Sequence, residues 1–167
     1  MGKLFYIMGK SASGKDTIYQ RLLRNPEFSL ERLVIYTTRP IRDGELDGRE
    51  YHFVTEEDFQ KLKAEGKIIE DRGYETVYGL WRYFTADNMN LEEKSYLGIG
   101  RLESYEKLKA YYGEEKIRPI YIEVEDGERL KRAIAREETQ EAPKYEEMCR
   151  RFLADAQDFS EEKIRQA

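Results

Sequence analysis

Gly9 and Gly14 frame Lys10-Ser11-Ala12-Ser13, and Lys15 directly follows the second glycine. The glycines let the backbone curl so that successive N–H groups converge on an anion. A helix starting near Lys15 adds more unpaired N–H groups and its positive dipole end, and the lysine adds a point charge suited to the outer phosphates of a polyphosphate. The stretch departs from G-x-x-x-x-G-K-[ST] at one letter: Asp16 takes the usual Ser/Thr place and Thr17 follows one residue late. The candidate polyphosphate-binding residues are Gly9, Ser11, Ser13, Gly14, Lys15, Asp16 and Thr17.

A second constellation lies in Thr37-Thr38-Arg39-Pro40-Ile41-Arg42, followed by a glycine-containing polar loop and Tyr51-His52-Phe53-Val54. Two arginines in a loop after a strand make a fork for an oxyanion, and tyrosine hydroxyls could complete it. Alone, such a stretch reads as a solvated charged loop. Beside a phosphate loop it reads as the second phosphate site that a phosphotransferase requires.

The elements that must position these groups follow from the pattern. Leu4–Met8 reads as a strand entering the loop, and Ile18–Leu23 as a helix ending near Asn25-Pro26. Leu33–Thr38 reads as a β-branched strand and Tyr51–Val54 as a short one. Thr55 and Asp58 suit a helix start that carries Phe59 and Leu62 and stops at Gly66. Further strands are expected at Lys67–Arg72, Thr76–Phe84, Ser95–Ile99 and Arg118–Val124, with a short helix or turn at Asn88–Glu93. Helices are expected at Leu102–Tyr112, closed by Gly113, and at Asp126–Arg136. A charged break at Glu137–Pro143 precedes a last long helix at Lys144–Asp158. Alternating strands and helices around a β-rich insert predict an α/β fold, a parallel sheet flanked by helices.

The chain has 167 residues, 40% hydrophobic and 38% charged, with a net charge of −5. Such a balance argues against broad nucleic-acid or anionic-membrane binding while allowing a local basic pocket. Cys149, the single cysteine, excludes an intrachain disulfide and a cysteine metal cluster, and its helical setting suggests a buried or half-buried position. Met1-Gly2-Lys3 runs straight into the first strand with no visible signal peptide, and no apolar stretch is long enough for a bilayer, so a cytoplasmic location is expected.

With the phosphate loop, the T-T-R-x-x-R-x-G-E-x-D-G-x-x-Y-H-F-V stretch, the Phe59, Gly66 and Glu70 run, and Tyr78-Gly79, most of the chain resembles the guanylate kinase family, as a divergent member. The resemblance implies a P-loop kinase core (residues 1–34 and 86–167), a small mixed-β acceptor-binding lobe (about 35–85) and a helical lid (about 136–150). It implies a nucleoside monophosphate kinase moving the γ-phosphoryl group of ATP to GMP with Mg²⁺. Its monophosphate clamp falls on Arg39, Arg42, Tyr51 and Tyr78. Of its guanine readers only Glu70 matches. The hydroxyl positions fall on Ile35 and on Leu80, unless the register slips and Thr85 serves. The aspartates of its D-x-D strand fall on Gly98 and Gly100. Lid arginines fall on Arg136 and on Arg150 or Arg151, which with Lys15 form the expected catalytic set.

For the metal, Asp16 supplies a hard oxygen ligand, or else makes a helix-start contact. Gly14-Lys15-Asp16 also resembles the ribose bisphosphate kinases of phosphonate metabolism, relatives of the guanylate kinases. The losses at Ile35, Leu80 and Gly100 remove groups that could read a base, so a kinase for another phosphomonoester and a silent binding module are the alternatives. Partners are expected to be small phosphorylated acceptors, with no nucleic acid and no membrane, on a monomer or homodimer. His52, Trp81 and most tyrosines are read as structural. The chain ends at Ala167, before the final strand and adenine-contacting segment that the resemblance implies.

Overall fold

The computed structural model describes residues 1–167. A parallel sheet of order β2-β7-β1-β8 is built from β1 (Leu4–Met8), β2 (Leu30–Arg32), β7 (Ser95–Gly100) and β8 (Ile117–Tyr121). The central strand β1 pairs Tyr6 with Gly98 and Met8 with Gly100 on one side, and Met8 with Tyr121 on the other. Its residues are apolar throughout because helices cover both faces. Ile7 and Leu97 pack with Tyr19 of α1 (Lys15–Arg24). Leu4, Tyr6 and Met8 pack with Tyr105 and Leu108 of α3 (Leu102–Tyr112) and with Phe159. No helix is long and apolar enough to cross a membrane.

A second sheet of order β4-β3-β6-β5 is built from β3 (Tyr36–Thr37), β4 (His52–Phe53), β5 (Ile68–Thr76) and β6 (Gly79–Ala86). Its helix α2 (Glu56–Ala64) begins with a reciprocal capping box. Thr55 Oγ1 accepts the Asp58 N–H at 3.1 Å, and the Asp58 carboxylate accepts the Thr55 N–H at 3.0 Å. Gly66, at φ 68°, ends the helix as expected. Phe59 of α2 stands edge-on to Phe84 of β6 at 5.0 Å, sealing a small core.

Several boundaries differ from the sequence reading. The run Leu33–Thr38 is not one strand of one sheet. Leu33 donates to Leu97 in the first sheet, whereas the Ile35 carbonyl accepts from His52 in the second, so the extended chain changes partners between them. The strands expected at Lys67–Arg72 and Thr76–Phe84 form one long hairpin, with Thr76 in its first arm and Gly79 turning at φ 102°. Of the short helix or turn expected at 88–93, the turn forms, at 91–93. Helix α4 (Asp126–Glu138) runs past Arg136, and α5 (Tyr145–Asp158) is followed by a short α6 (Glu161–Gln166) that the sequence reading missed. The signal for α6 was Ser160 before Glu161-Glu162, and the Ser160 hydroxyl indeed accepts the Lys163 N–H. Cys149 is exposed, not buried, because Met148 turns the apolar face of α5 inward.

Candidate active site

The loop after β1 folds as its glycines require. Ala12 and Gly14 both have positive φ (59° and 84°), and Gly14 caps α1 without any side-chain hydrogen bond. The first-turn N–H groups of α1 therefore point outward without partners. A Cβ on Gly9 would lie 2.8 Å from Ser13 Oγ and 2.9 Å from the Ile122 carbonyl, so the turn closes only with glycine there. The Ser13 hydroxyl is buried without a partner. Lys15 Nζ lies 3.6 Å from the exposed Asp16 carboxylate, and Thr17 is exposed.

A buried arginine fixes this loop from behind. Arg129 on α4, 1% exposed, donates to the Ser11 carbonyl at 2.9 Å, to Asp126 at 2.9 Å and to Asp155 at 3.4 Å, and its guanidinium lies 4.6 Å from the Phe152 ring. Asp155 on α5 in turn accepts the Ser11 N–H at 2.8 Å. A carboxylate thus occupies one amide of the phosphate loop. Neither residue was singled out from the sequence. Their only local signal was the Asp126–Arg129 spacing, which places both groups on one face of a helix.

The loop opens into a cavity of about 380 Å³ at the carboxyl ends of β1 and β7, where an α/β sheet places its ligands. Lys15, Arg72, Arg101, Arg150 and Arg151 line it, opposed by Asp155 and Asp158. Of the expected lid arginines, Arg150 and Arg151 reach this cavity from α5, each resting against Glu147. Arg136 does not line it: it sits exposed at the end of α4. Arg132 comes closer, its guanidinium 4.0 Å from the space beside Gly14.

The second sheet carries a separate hollow of about 340 Å³ lined by Ile35, Tyr51, Arg72, Tyr74, Trp81 and Tyr83. Tyr51 and Tyr74 both meet the Tyr83 ring edge-on, at 5.6 and 5.7 Å. The Arg39 guanidinium lies 5.2 Å from the Tyr51 ring, and its two terminal nitrogens donate to Glu45 at 2.8 and 2.6 Å. Glu45 also accepts the Arg42 N–H at 2.8 Å. Arg39 and Tyr51 are thus brought together, with Arg39 buried under its carboxylate partner, while Arg42 joins them through its backbone N–H alone and is exposed. Tyr78 is not part of that group: it is exposed at the hairpin tip, stacked on Trp81 at 6.1 Å.

Glu70 lies on the same face of β5 as Arg72 and Tyr74, further from the hairpin tip and outside the lining of the hollow. Its carboxylate is buried, accepting from Thr85 at 3.0 Å and from Ser104 at 3.3 Å. The β5–β6 register, which sets Glu70 opposite Thr85, and the bulge between Ile68 and Glu70 put it there.

The Arg39 pair has a pH signature. The hydrogen bonds from Arg39 hold the Glu45 carboxyl at about 2, below its ordinary 4.5, with the Arg42 N–H helping. A depressed carboxyl stabilises the fold above its unfolded value and loses that contribution as pH falls through the folded one. The melting temperature of Glu45→Gln is therefore expected below wild type by a constant margin from pH 8 to 5, the margin closing between pH 4.5 and 2. A margin unchanged down to pH 2 would contradict this.

A sequence profile of the guanylate kinase family matches residues 1–162. The chain belongs to the guanylate kinase family. It is 31% identical over 160 residues to the guanylate kinase of a Wolbachia from Brugia malayi, covering 93% of this chain and 77% of that one. It is 40% identical over 101 residues to the guanylate kinase of Schizosaccharomyces pombe, covering 60% of this chain and 44% of that one. With the Vibrio parahaemolyticus and Neisseria meningitidis relatives at 45% and 42%, the chain spans less than half the length of several curated relatives it matches. The crystal structure of guanylate kinase from Anaplasma phagocytophilum superposes with a TM-score of 0.54 at 27% identity, covering 78% of this chain and 65% of that one.

Against the guanylate kinase pattern, the structure explains why glycines stand at 98 and 100. Tyr6 crosses from β1 over both. A Cβ on Gly98 would lie 2.6 Å from its ring, and one on Gly100 would fall on its hydroxyl. Tyr6 is 5% exposed, and burial pushes its hydroxyl well above the usual range, with the Glu70 charge adding to the rise. The ring thus fills the space that aspartates at these positions would need. Gly100→Asp alone is expected to destabilise by about 1–3 kcal/mol through overpacking, and adding Tyr6→Phe to recover most of that. Denaturant titration of the single and double variants checks it; no recovery would show that Tyr6 is not the obstacle.

Proposed function

We propose that this chain is an ATP-dependent guanylate kinase, transferring the γ-phosphoryl group of ATP to GMP. The observation that carries the reading is the cavity in which the phosphate loop, Lys15 and the two α5 arginines meet. The acceptor phosphate oxygen attacks the γ-phosphorus. One P–O bond forms as the bond to the β,γ-bridging oxygen breaks, and that electron pair leaves on ADP. The acceptor phosphate is already anionic, so no general base is required. Catalysis is alignment and charge neutralisation.

In this reading Gly9, Ser11, Ser13, Gly14, Lys15, Asp16 and Thr17 hold the donor phosphates through loop amides and the lysine, the Ser11 amide exchanging Asp155 for a phosphate oxygen. Arg150 and Arg151 offset charge as it develops, and Arg136 joins them only if residues 136–150 close as a lid. Arg39, Arg42 and Tyr51 hold the acceptor phosphate in a lobe of residues 35–85, inserted into a core of 1–34 and 86–167, and Tyr78 joins them only if the exposed hairpin tip folds over the ligand. Glu70, held by Thr85 and Ser104, contacts the acceptor's base or sugar. Mg²⁺ fits one ligand: Asp16, 84% exposed and only loosely paired with Lys15 at 3.6 Å, is an accessible hard-oxygen donor, and Mg²⁺ commonly takes one or two carboxylates and completes its shell with substrate phosphates and water. Bound there, it would neutralise phosphate charge. A cytoplasmic monomer or homodimer acting on small nucleotides accords with this reading. The test is coupled ADP release with GMP, dGMP, AMP, UMP and CMP. Turnover with GMP above the others is expected, and none with any acceptor would sink it.

A further inference from the structure

We propose that Arg72 is a catalytic residue that contacts the phosphoryl group in transit between donor and acceptor. The inference rests on the kinase reading above and adds to it a group outside the expected clamp and lid. Arg72 sits on β5 opposite Tyr83. Among the residues lining the loop cavity and those lining the aromatic hollow, it is the one common to both. A ligand phosphate in either hollow therefore meets the same guanidinium, which is where an oxygen shared between two phosphates must pass.

Its bonding state fits that role. Arg72 Nε is buried without a hydrogen-bond partner, and its closest carboxylate oxygen, on Glu70, is 3.7 Å away, too far for a hydrogen bond. Glu70 is already occupied by Thr85 and Ser104. The neighbouring arginines differ: Arg39 is chelated by Glu45, Arg82 by Glu56, and Arg150 by Glu147. Arg72 keeps a charge neighbour that orients it, while its donors stay uncommitted. A planar guanidinium with free donors is suited to two phosphate oxygens at once. As the bond from the γ-phosphorus to the bridging oxygen breaks and the bond to the acceptor oxygen forms, Arg72 donates to the equatorial oxygens, and no proton is transferred.

The experiment uses ATP, GMP, and adenosine joined 5′ to 5′ to guanosine by a chain of five phosphates, which spans both hollows. Calorimetric affinities are compared for wild type, Arg72→Gln and Arg72→Lys. Arg72→Gln is expected to weaken the joined probe by about 100-fold and to lower kcat by a similar factor. Affinities for ATP alone and GMP alone, and both KM values, should stay within about threefold. Arg72→Lys should retain part of the loss. Wild-type binding of the joined probe no tighter than ATP would overturn the two-site reading and this inference with it. Tight wild-type binding undiminished in Arg72→Gln would overturn the role of Arg72 alone. So would a uniform loss of all three affinities, with a lowered melting temperature restored by adding Glu70→Gln, since that is the behaviour of a structural ion pair.

Discussion

Lys15→Ala is expected to lower kcat for GMP-dependent ADP release by about a thousandfold and to weaken ATP binding markedly. The lysine side chain is 21% exposed, at the mouth of the loop cavity, and its only ionic partner is the solvent-exposed Asp16. Its charge is therefore available to a ligand, and losing that pair costs the fold little, about 0–1 kcal/mol. The neighbouring Lys10 cannot take over, because its ammonium is directed to Asp126 at 3.4 Å. Lost activity with a melting temperature within a few degrees of wild type is the expected pair of results. If the variant bound ATP as tightly as wild type by calorimetry, the loop would not be the donor site.

Arg129→Met should act mainly on stability, by about 3–5 kcal/mol. Removing one partner of a buried ionic network strands the remaining charge. Asp155 is only 14% exposed and would face the loop without its cation, while the Ser11 carbonyl would lose its donor. For a chain of this size the melting temperature should fall by about 6–20 °C. ATP affinity should fall with it, because the loop loses its rear support. Adding Asp155→Asn to Arg129→Met should recover part of the stability by neutralising the stranded carboxylate. Equal stability of wild type and Arg129→Met in urea would refute the network's importance.

What the sequence made legible was whatever depends on near neighbours. The loop glycines, the Thr55–Asp58 box and the Gly113 stop are local decisions of backbone sterics and capping, and each stands where its residue types place it. What stayed hidden depends on distant partners. Ser11 meets Asp155 across 144 positions and Arg129 across 118, and no local pattern announces either. The glycines at 98 and 100 read as lost functional groups until strand register sets Tyr6 over them. The β-branched run at 33–38 looked like one strand because both of its halves are extended; only the change of hydrogen-bonding partner divides it. Glu70 and Arg39 illustrate a different gap: residue type gives the charge, whereas Thr85, Ser104 and Glu45 decide whether that charge is free.

The passage of the chain from one sheet to the other has a mechanical corollary. It leaves the first sheet through Leu33–Ile35 and returns through the turns at 87–94, and both crossings are anchored. Leu33 is held by Leu97, and Asp87 accepts from the hydroxyls of Tyr111 and Tyr112 at 2.9 and 2.8 Å. β5 adds a third tie, with Ser104 of α3 donating to Glu70 and Ile69 packed against the main core. Three separated anchors resist sliding, twisting and tilting alike, so the aromatic hollow is held in one orientation toward the phosphate loop, with Arg72 on the border of both.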